Sequence, residues 1–234
     1  MGTVSLDVSF ALTEQWTVLF GPSGSGKTTV LRAIAGFVRP DAGSIARETV
    51  LFDGATNVFV PAHLRPVRSA GQTARLFPHM TVRRNAVYGS QRTSKGLDTM
   101  GIAEQVLGLF RLQGLEDRLP RDLSGGERQR VSVARAVVSA TTFGGPERPL
   151  LLLDEPFSGL DNAMRDDLLA GLREWLERWK IPVLSVTHDV GEAFQLGAEV
   201  IKLADGRVVQ QGPVATVLAE ERKRLVEQLR VGSV

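Results

Sequence analysis

Between positions 21 and 28 the chain reads Gly21, Pro22, Ser23, Gly24, Ser25, Gly26, Lys27 and Thr28, with Thr29 directly after it. Glycines let successive backbone N–H groups turn inward around an oxyanion. If a helix opens at that point, its N-terminal partial charge deepens the cradle. The run fits G-x-x-x-x-G-K-[ST] at every fixed position, so the expected guest is the phosphate chain of a nucleoside triphosphate. Lys27 would then reach the β- and γ-phosphates, and the Thr28 hydroxyl would ligate Mg²⁺.

Such a site also needs carboxylates at the end of a strand, and Leu150, Leu151, Leu152 and Leu153 run straight into Asp154 and Glu155. Four leucines in a row suit a strand covered on both faces. An acid at its end is costly to bury without a partner or a task. Asp154 is placed to hold Mg²⁺ through water, and Glu155 to orient or deprotonate an attacking water. A second cradle follows the same logic: Ser124, Gly125 and Gly126 come after Leu123 and before Glu127 at the opening of a helix. Taken alone, that turn is most often a helix cap. One phosphate site does not need two cradles, so the pair predicts a head-to-tail dimer in which each chain completes the other's site.

These groups must be presented by strands that end, and helices that begin, at the right places. The spacing predicts strands over 16–20, 150–153, 183–187 and 199–203, and helices over 29–37, 99–113, 126–140, 163–180, 191–197 and 213–230. Gly36 and Pro40 mark the end of the first helix, and Ile102, Val106, Leu109 and Phe110 share a face of the second. Val4, Leu6, Val8 and Phe10 alternate with polar residues, the period of a half-buried strand. Residues 41–71 read as short strands broken by Gly43, Gly54, Pro61 and Pro66. Alternating strands and helices predict an α/β fold with a mainly parallel sheet. The helical character of 74–140 predicts an inserted subdomain within a single domain spanning 1–234, whose core is about 1–73 and 150–234.

Composition narrows the function classes. With 43% hydrophobic and 23% charged residues over 234 positions, the chain has globular proportions. The longest apolar run is far below the ~20 residues of a membrane span. There is no cysteine, which excludes disulfides and thiolate chemistry. Positions 2–20 hold no Lys or Arg and carry Asp7 and Glu14, unlike a secretory signal, so a cytoplasmic protein is expected. Net charge is only +2, yet 54–97 contains no acid while Arg65, Arg68, Arg75, Arg83, Arg84, Arg92 and Lys95 accumulate. That stretch would suit nucleic acid, anionic lipid headgroups or a protein partner, or be a solvated face balanced elsewhere in the fold.

Residues 21–28, Gln72, 123–129, 150–156, Ser158-Gly159-Leu160-Asp161 and Thr187-His188-Asp189 stand in the order of the ATP-binding-cassette ATPases, which the chain resembles over nearly its whole length. The resemblance implies a P-loop NTPase (RecA-like) core with an α-helical signature subdomain, and hydrolysis of ATP with Mg²⁺. It implies closure of a homodimer, with Ser124, Gly125 and Gly126 meeting the γ-phosphate across the interface. Gln72 would sense Mg²⁺ and the water, His188 would contact the γ-phosphate, and Asp161 would lie between the two sites. The segment Ala74-Arg75-Leu76-Phe77-Pro78-His79, with Asn85 after it, resembles the ATPase subunits of molybdate importers. That implies an integral-membrane permease whose coupling helix meets a groove at Phe77, Met80 and Tyr88, with the basic stretch toward the membrane. It also implies a peripheral place on the cytoplasmic face, an indirect link to a solute-binding protein, and no nucleic acid. Importers of sulfate, polyamine or ferric iron, and soluble cassette ATPases, are the rival readings.

Three departures bear on what carries over. Only twenty residues precede Gly21, so Phe10 and Trp16 lie too close to serve as the family's adenine-stacking aromatic. Residues 141–149 are longer than the usual link and read as a surface insertion. With Val234 as the last residue, feedback through a C-terminal oxyanion-sensing domain is not expected.

Overall fold

The computed structural model describes residues 5–90, 97–197 and 199–231. In chain order the strands are β1 (Trp16–Phe20), β2 (Ser44–Ala46), β3 (Val50–Asp53), β4 (Val58–Phe59), β5 (Val67–Ala70), β6 (Leu150–Asp154), β7 (Val183–Thr187), β8 (Glu199–Ala204) and β9 (Arg207–Pro213). The α-helices are α1 (Lys27–Ala35), α2 (Val82–Val87), α3 (Thr99–Leu109), α4 (Gly125–Thr141), α5 (Asn162–Trp179), α6 (Val190–Leu196), α7 (Val214–Val217) and α8 (Ala219–Val231). They fall into two compact units, Met1–Lys27 with Leu184–Val234, and Thr28–Val183.

In the first unit β7, β1, β8 and β9 lie side by side in that order. β1 runs parallel to β8, with Val18 opposite Val200, and β9 returns antiparallel along β8. Every residue of β1 is buried, which is why the sequence there is Trp16, Thr17, Val18, Leu19 and Phe20 without a charge. Helix α6 packs on β1, where Gly197 at its end lets Val18 approach.

Two expectations fail in this unit. Leu6, Val8 and Phe10 are half-buried between exposed neighbours, but residues 5–15 form one backbone bridge, Asp7 with Arg207, and no strand ladder. The segment is held instead by side chains reaching from the sheet: Thr13 donates its N–H and hydroxyl to Glu199, and Gln211 Nε2 donates to the Ala11 carbonyl. Val4 lies outside the described residues. The helix expected over 213–230 is two, α7 and α8, broken at Leu218, which is fully buried as its neighbour Val217 is nearly so. Strand β9 was not anticipated, because its mostly exposed run Arg207–Pro213 carries no apolar alternation.

The second unit holds the parallel pair β5 and β6, with Val67 opposite Leu150, and the small antiparallel sheet β2, β3 and β4. β6 is buried throughout, as its four leucines require. Helices α2, α3 and α4 pack on one another and form the expected helical segment. Its face of Ile102, Val106 and Phe110 is buried.

Helix α1 stops where Gly36 takes φ +83°. Arg65 closes that end: only 1% exposed, it donates to the carbonyls of Ala33 and Ile34 and to those of Val60 and Leu51. Among the described residues no carboxylate pairs with it; carbonyl dipoles carry the charge, and burial pushes the guanidinium pKa down. So one cation of the basic stretch is an internal staple. Arg83 is also engaged, 2.9 Å from Glu104, while Arg92 and Lys95 lie outside the described residues. No helix among the described residues is long and apolar enough to cross a membrane.

Candidate phosphate-binding and hydrolysis site

In the first unit the chain leaves β1 and enters the glycine-rich loop. Gly24 and Gly26 take φ of +82° and +99°, conformations that side chains resist. Ser25 N–H donates to the Pro22 carbonyl at 3.2 Å, tightening the turn. Lys27 is 7% exposed and its Nζ donates to the carbonyls of Gly21 and Pro22 at 2.7 and 2.8 Å. The ammonium is therefore folded back into the loop it serves. Ser25 Oγ is buried without a hydrogen-bond partner among the described residues. A buried hydroxyl inside a glycine loop wants an oxyanion acceptor, and the loop fits a phosphate guest on that account. Pro22, Ser23 and Gly24 form its exposed rim.

His188 stands exposed just beyond β7 in the same unit, on a turn fixed from both sides. Thr187 Oγ1 donates to Glu192 Oε2 at 2.8 Å and accepts the Asp189 N–H at 3.0 Å. Asp189 caps α6 by accepting the Glu192 N–H at 2.9 Å. Glu192, 6% exposed, is a site-supporting residue that sequence reasoning missed. Its signal was present in the Thr-x-x-x-x-Glu spacing around an Asp cap.

In the second unit Thr28 Oγ1 donates to Asp154 Oδ2 at 2.9 Å. Thr28 and Thr29 are exposed, whereas Asp154 at the end of β6 is 6% exposed. The next residue, Glu155, takes φ +47°, a left-handed conformation unusual for a non-glycine residue. Strain of this kind is retained where it aims a functional side chain. Gln72 Nε2 donates to Glu155 Oε2 at 3.0 Å. Gln129, buried on α4, donates to the Gly71 carbonyl at 3.1 Å and so steadies the residue before Gln72. That role was not read from the sequence. It shows only as a polar residue on an otherwise packed helix face.

The structure thus brings together Thr28 with Asp154 and Gln72 with Glu155. Ser124 and Asp161 are bonded locally. Ser124 caps α4 by a capping box: its hydroxyl accepts the Glu127 N–H at 3.2 Å, and Glu127 Oε2 accepts the Ser124 N–H at 2.7 Å. The Ser124 backbone N–H holds the Glu127 carboxyl below its usual pKa. Ser124 and Gly125 are exposed, and Gly126 is half-buried beneath Leu160. Asp161 caps α5 by accepting the Met164 N–H at 2.9 Å.

A separate groove of about 410 Å³ opens beside Arg68, Arg75, Phe77, Tyr88, Arg135 and Ser139. Phe77 and Tyr88 rings lie 4.0 Å apart, and the Arg135 guanidinium sits 5.5 Å from the Phe77 ring centre. Asn85 is fully buried and builds this corner, accepting the Phe77 N–H and donating to the carbonyls of Phe77, Met80 and Thr81. Met80 is half-buried and does not line the groove.

A family model described as ABC transporter matches residues 5–158. The molybdenum import ATP-binding protein ModC of Mesorhizobium japonicum is 39% identical over 230 residues, covering 95% of this chain and 60% of its own length. Its namesake in Thiobacillus denitrificans is 40% identical over 229 residues, covering 97% of this chain and 60% of that protein. The chain therefore spans about 60% of the length of these curated relatives. Among solved structures, a dimeric bacterial ABC transporter cassette, MJ0796, superposes with a TM-score of 0.73 at 25% identity, covering 89% of each chain. A post-hydrolysis dimer of the same cassette bound to ADP and Pi gives 0.71 at 26% identity, again over 89% of each.

Proposed function

The chain belongs to the ABC transporter family, and on that premise we propose that it is the ATP-hydrolysing subunit of an importer carrying molybdate or a related oxyanion. One observation carries the hydrolytic part: Glu155, in its left-handed conformation one residue beyond Asp154, meets Gln72 at 3.0 Å. A carboxylate so placed accepts a proton from water, while the amide orients either the water or the carboxylate. Residues 21–29 hold the triphosphate, with Lys27 leaving its loop carbonyls for phosphate oxygens. Thr28, Asp154 and Gln72 offer hard oxygen donors that fit Mg²⁺, which when bound neutralises phosphate charge. His188 contacts the γ-phosphate from its capped turn.

The catalytic domain is the whole of 1–234, with a core of about 1–73 and 150–234 and a helical subdomain of about 74–140. Two copies close on two ATP, each lending Ser124, Gly125 and Gly126 to the other's γ-phosphate, with Asp161 at the junction. The exposure of Ser124 and the dimeric likeness of the cassette structures support that reading. An integral-membrane permease docks at the Phe77 and Tyr88 groove, which puts the chain on the cytoplasmic face of the membrane. A solute-binding protein delivers cargo to that permease.

The test is cellular molybdenum at limiting external molybdate, in cells whose sole copy is this chain or its Glu155→Gln variant. A drop with the variant, restored by excess molybdate, supports both transport and cargo. Equal molybdenum in the two strains rejects molybdate as the main cargo.

A further inference from the structure

The N-terminal segment 5–13 has no role in the function proposed above, yet it touches the phosphate loop. Leu6 fills the space that a Cβ on Gly26 would need, its Cδ2 lying where that carbon would project. Three ties hold the segment in place, all from the β8–β9 hairpin. Asp7 N–H donates to the Gly206 carbonyl at 2.8 Å. Gln211 Nε2 donates to the Ala11 carbonyl at 2.7 Å. Glu199 accepts from the Thr13 N–H at 3.3 Å and from the Thr13 hydroxyl at 2.9 Å. The hairpin turn also requires a bare backbone: at Gly206, φ +74°, a Cβ would collide with the Ser5 carbonyl. Gly21 needs the same bareness, because a Cβ there would meet the Leu203 carbonyl. The hairpin thus abuts the loop at Gly21 directly and at Gly26 through Leu6.

We propose that Leu6 is a positioning residue for the phosphate loop: braced by the β8–β9 hairpin through residues 5–13, it presses on Gly26 and holds the loop in its phosphate-binding shape before the nucleotide arrives. A flexible loop must be ordered on binding, and that ordering weakens affinity. A loop already braced at both ends avoids the loss. The bare Gly26 and the branched apolar side chain upon it are complementary parts of one contact. Leu6 does not touch the reacting atoms in this role, so it acts on affinity and not on the bond-breaking step. The inference rests on residues 21–28 being the ATP cradle.

The experiment is equilibrium titration of a fluorescent ATP analogue into the full chain, its Leu6→Ala, Leu6→Met and Gly206→Ala variants, and Lys27→Ala as control. Loss of binding in the control shows that the loop is the nucleotide site; undiminished binding there overturns the ATP reading itself. Leu6→Ala is expected to raise Kd about tenfold, with unfolding temperature near the parent's and kcat at saturating ATP within about twofold. Leu6→Met, which refills the space, restores affinity. Gly206→Ala, remote from the nucleotide, reproduces the Kd rise by dislodging Ser5. A Kd unchanged in Leu6→Ala, or a rise that Leu6→Met fails to reverse, overturns the proposal. Should Leu6→Ala fold poorly, Gly206→Ala decides alone: an unaltered Kd rejects the brace.

Discussion

Two glycine-rich turns open helices in this molecule, and they are built for opposite situations. In residues 21–28 glycine serves for its dihedral freedom: Gly24 and Gly26 take positive φ, Lys27 is buried against loop carbonyls, and the Ser25 hydroxyl has no partner among the described residues. At residues 124–126 glycine serves for its missing side chain. Neither Gly125 nor Gly126 has positive φ, and both lie inside α4, behind a capping box that satisfies Ser124 locally. The first turn has one hydroxyl in waiting, Ser25 Oγ, among the described residues, and the second has the polar groups of Ser124 answered. An unanswered buried donor belongs to a site built within the chain. A capped, exposed turn becomes a site when a second body supplies what it faces. The shared-site dimer proposed above would draw on this difference, one turn built within the chain and the other facing outward.

The contrast can be broken experimentally, beginning with the chemistry that depends on both turns. Glu155→Gln should lower ATP turnover by roughly 10²- to 10⁴-fold while sparing ATP affinity, because it removes the proton acceptor and keeps the shape. Steady-state hydrolysis beside equilibrium binding checks it, and unchanged turnover would remove Glu155 as the base. Ser124→Arg should lower turnover by about 10²-fold and abolish ATP-dependent dimers, leaving the monomer's nucleotide affinity intact. Light scattering with ATP in the Glu155→Gln background reads this directly; persisting dimers would sink the shared-site model. A smaller effect separates the cap from the cradle. Glu127→Ala breaks the capping box and should cost about 1 kcal/mol of stability in denaturant unfolding, whereas affinity at the other turn should not move.

Much of this was legible in the sequence because it follows from local chemistry. The leucine run ending in Asp154 had to be a covered strand, and β6 is buried at every position. Residues 21–28 read as a glycine turn from composition and spacing, and Gly24 and Gly26 take the positive φ that such a turn needs. Features that depend on distant partners were not legible. Arg65 counted as a surface cation until the carbonyls of Ala33 and Ile34, some thirty residues earlier in the chain, were seen to surround it. The alternation through Leu6, Val8 and Phe10 was real as burial and misleading as a strand, since the ties that hold it come from Glu199 and Gln211. Gln129 shows the same limit: it steadies the residue before Gln72 through one hydrogen bond to a carbonyl 58 positions away, and has no periodicity of its own.

Glu199 gives an effect as small as that of the capping box, and the finest test of how the N-terminal segment is held. The residue is 6% exposed and accepts from neutral groups: the Thr13 N–H and hydroxyl, the Thr17 hydroxyl and Gln211 Nε2. Burial alone would raise its pKa, but the donors Gln211, Thr13 and Thr17 outweigh burial and hold it below the usual glutamate value. A carboxyl lowered on folding contributes stability that is fully present above its unfolded pKa, about 4.3 for glutamate. That contribution fades as pH falls through the lower folded value. In Glu199→Gln the amide turns an N–H toward groups that themselves donate, so the variant should unfold a few degrees below the parent at neutral pH, the equivalent of about 1 kcal/mol. As pH drops below the folded pKa, the parent gains the same proton on its carboxyl, and the two unfolding temperatures should converge. A gap that stays constant from neutral pH into the acid range would mean that shape, and not the charge of Glu199, anchors the segment behind Leu6.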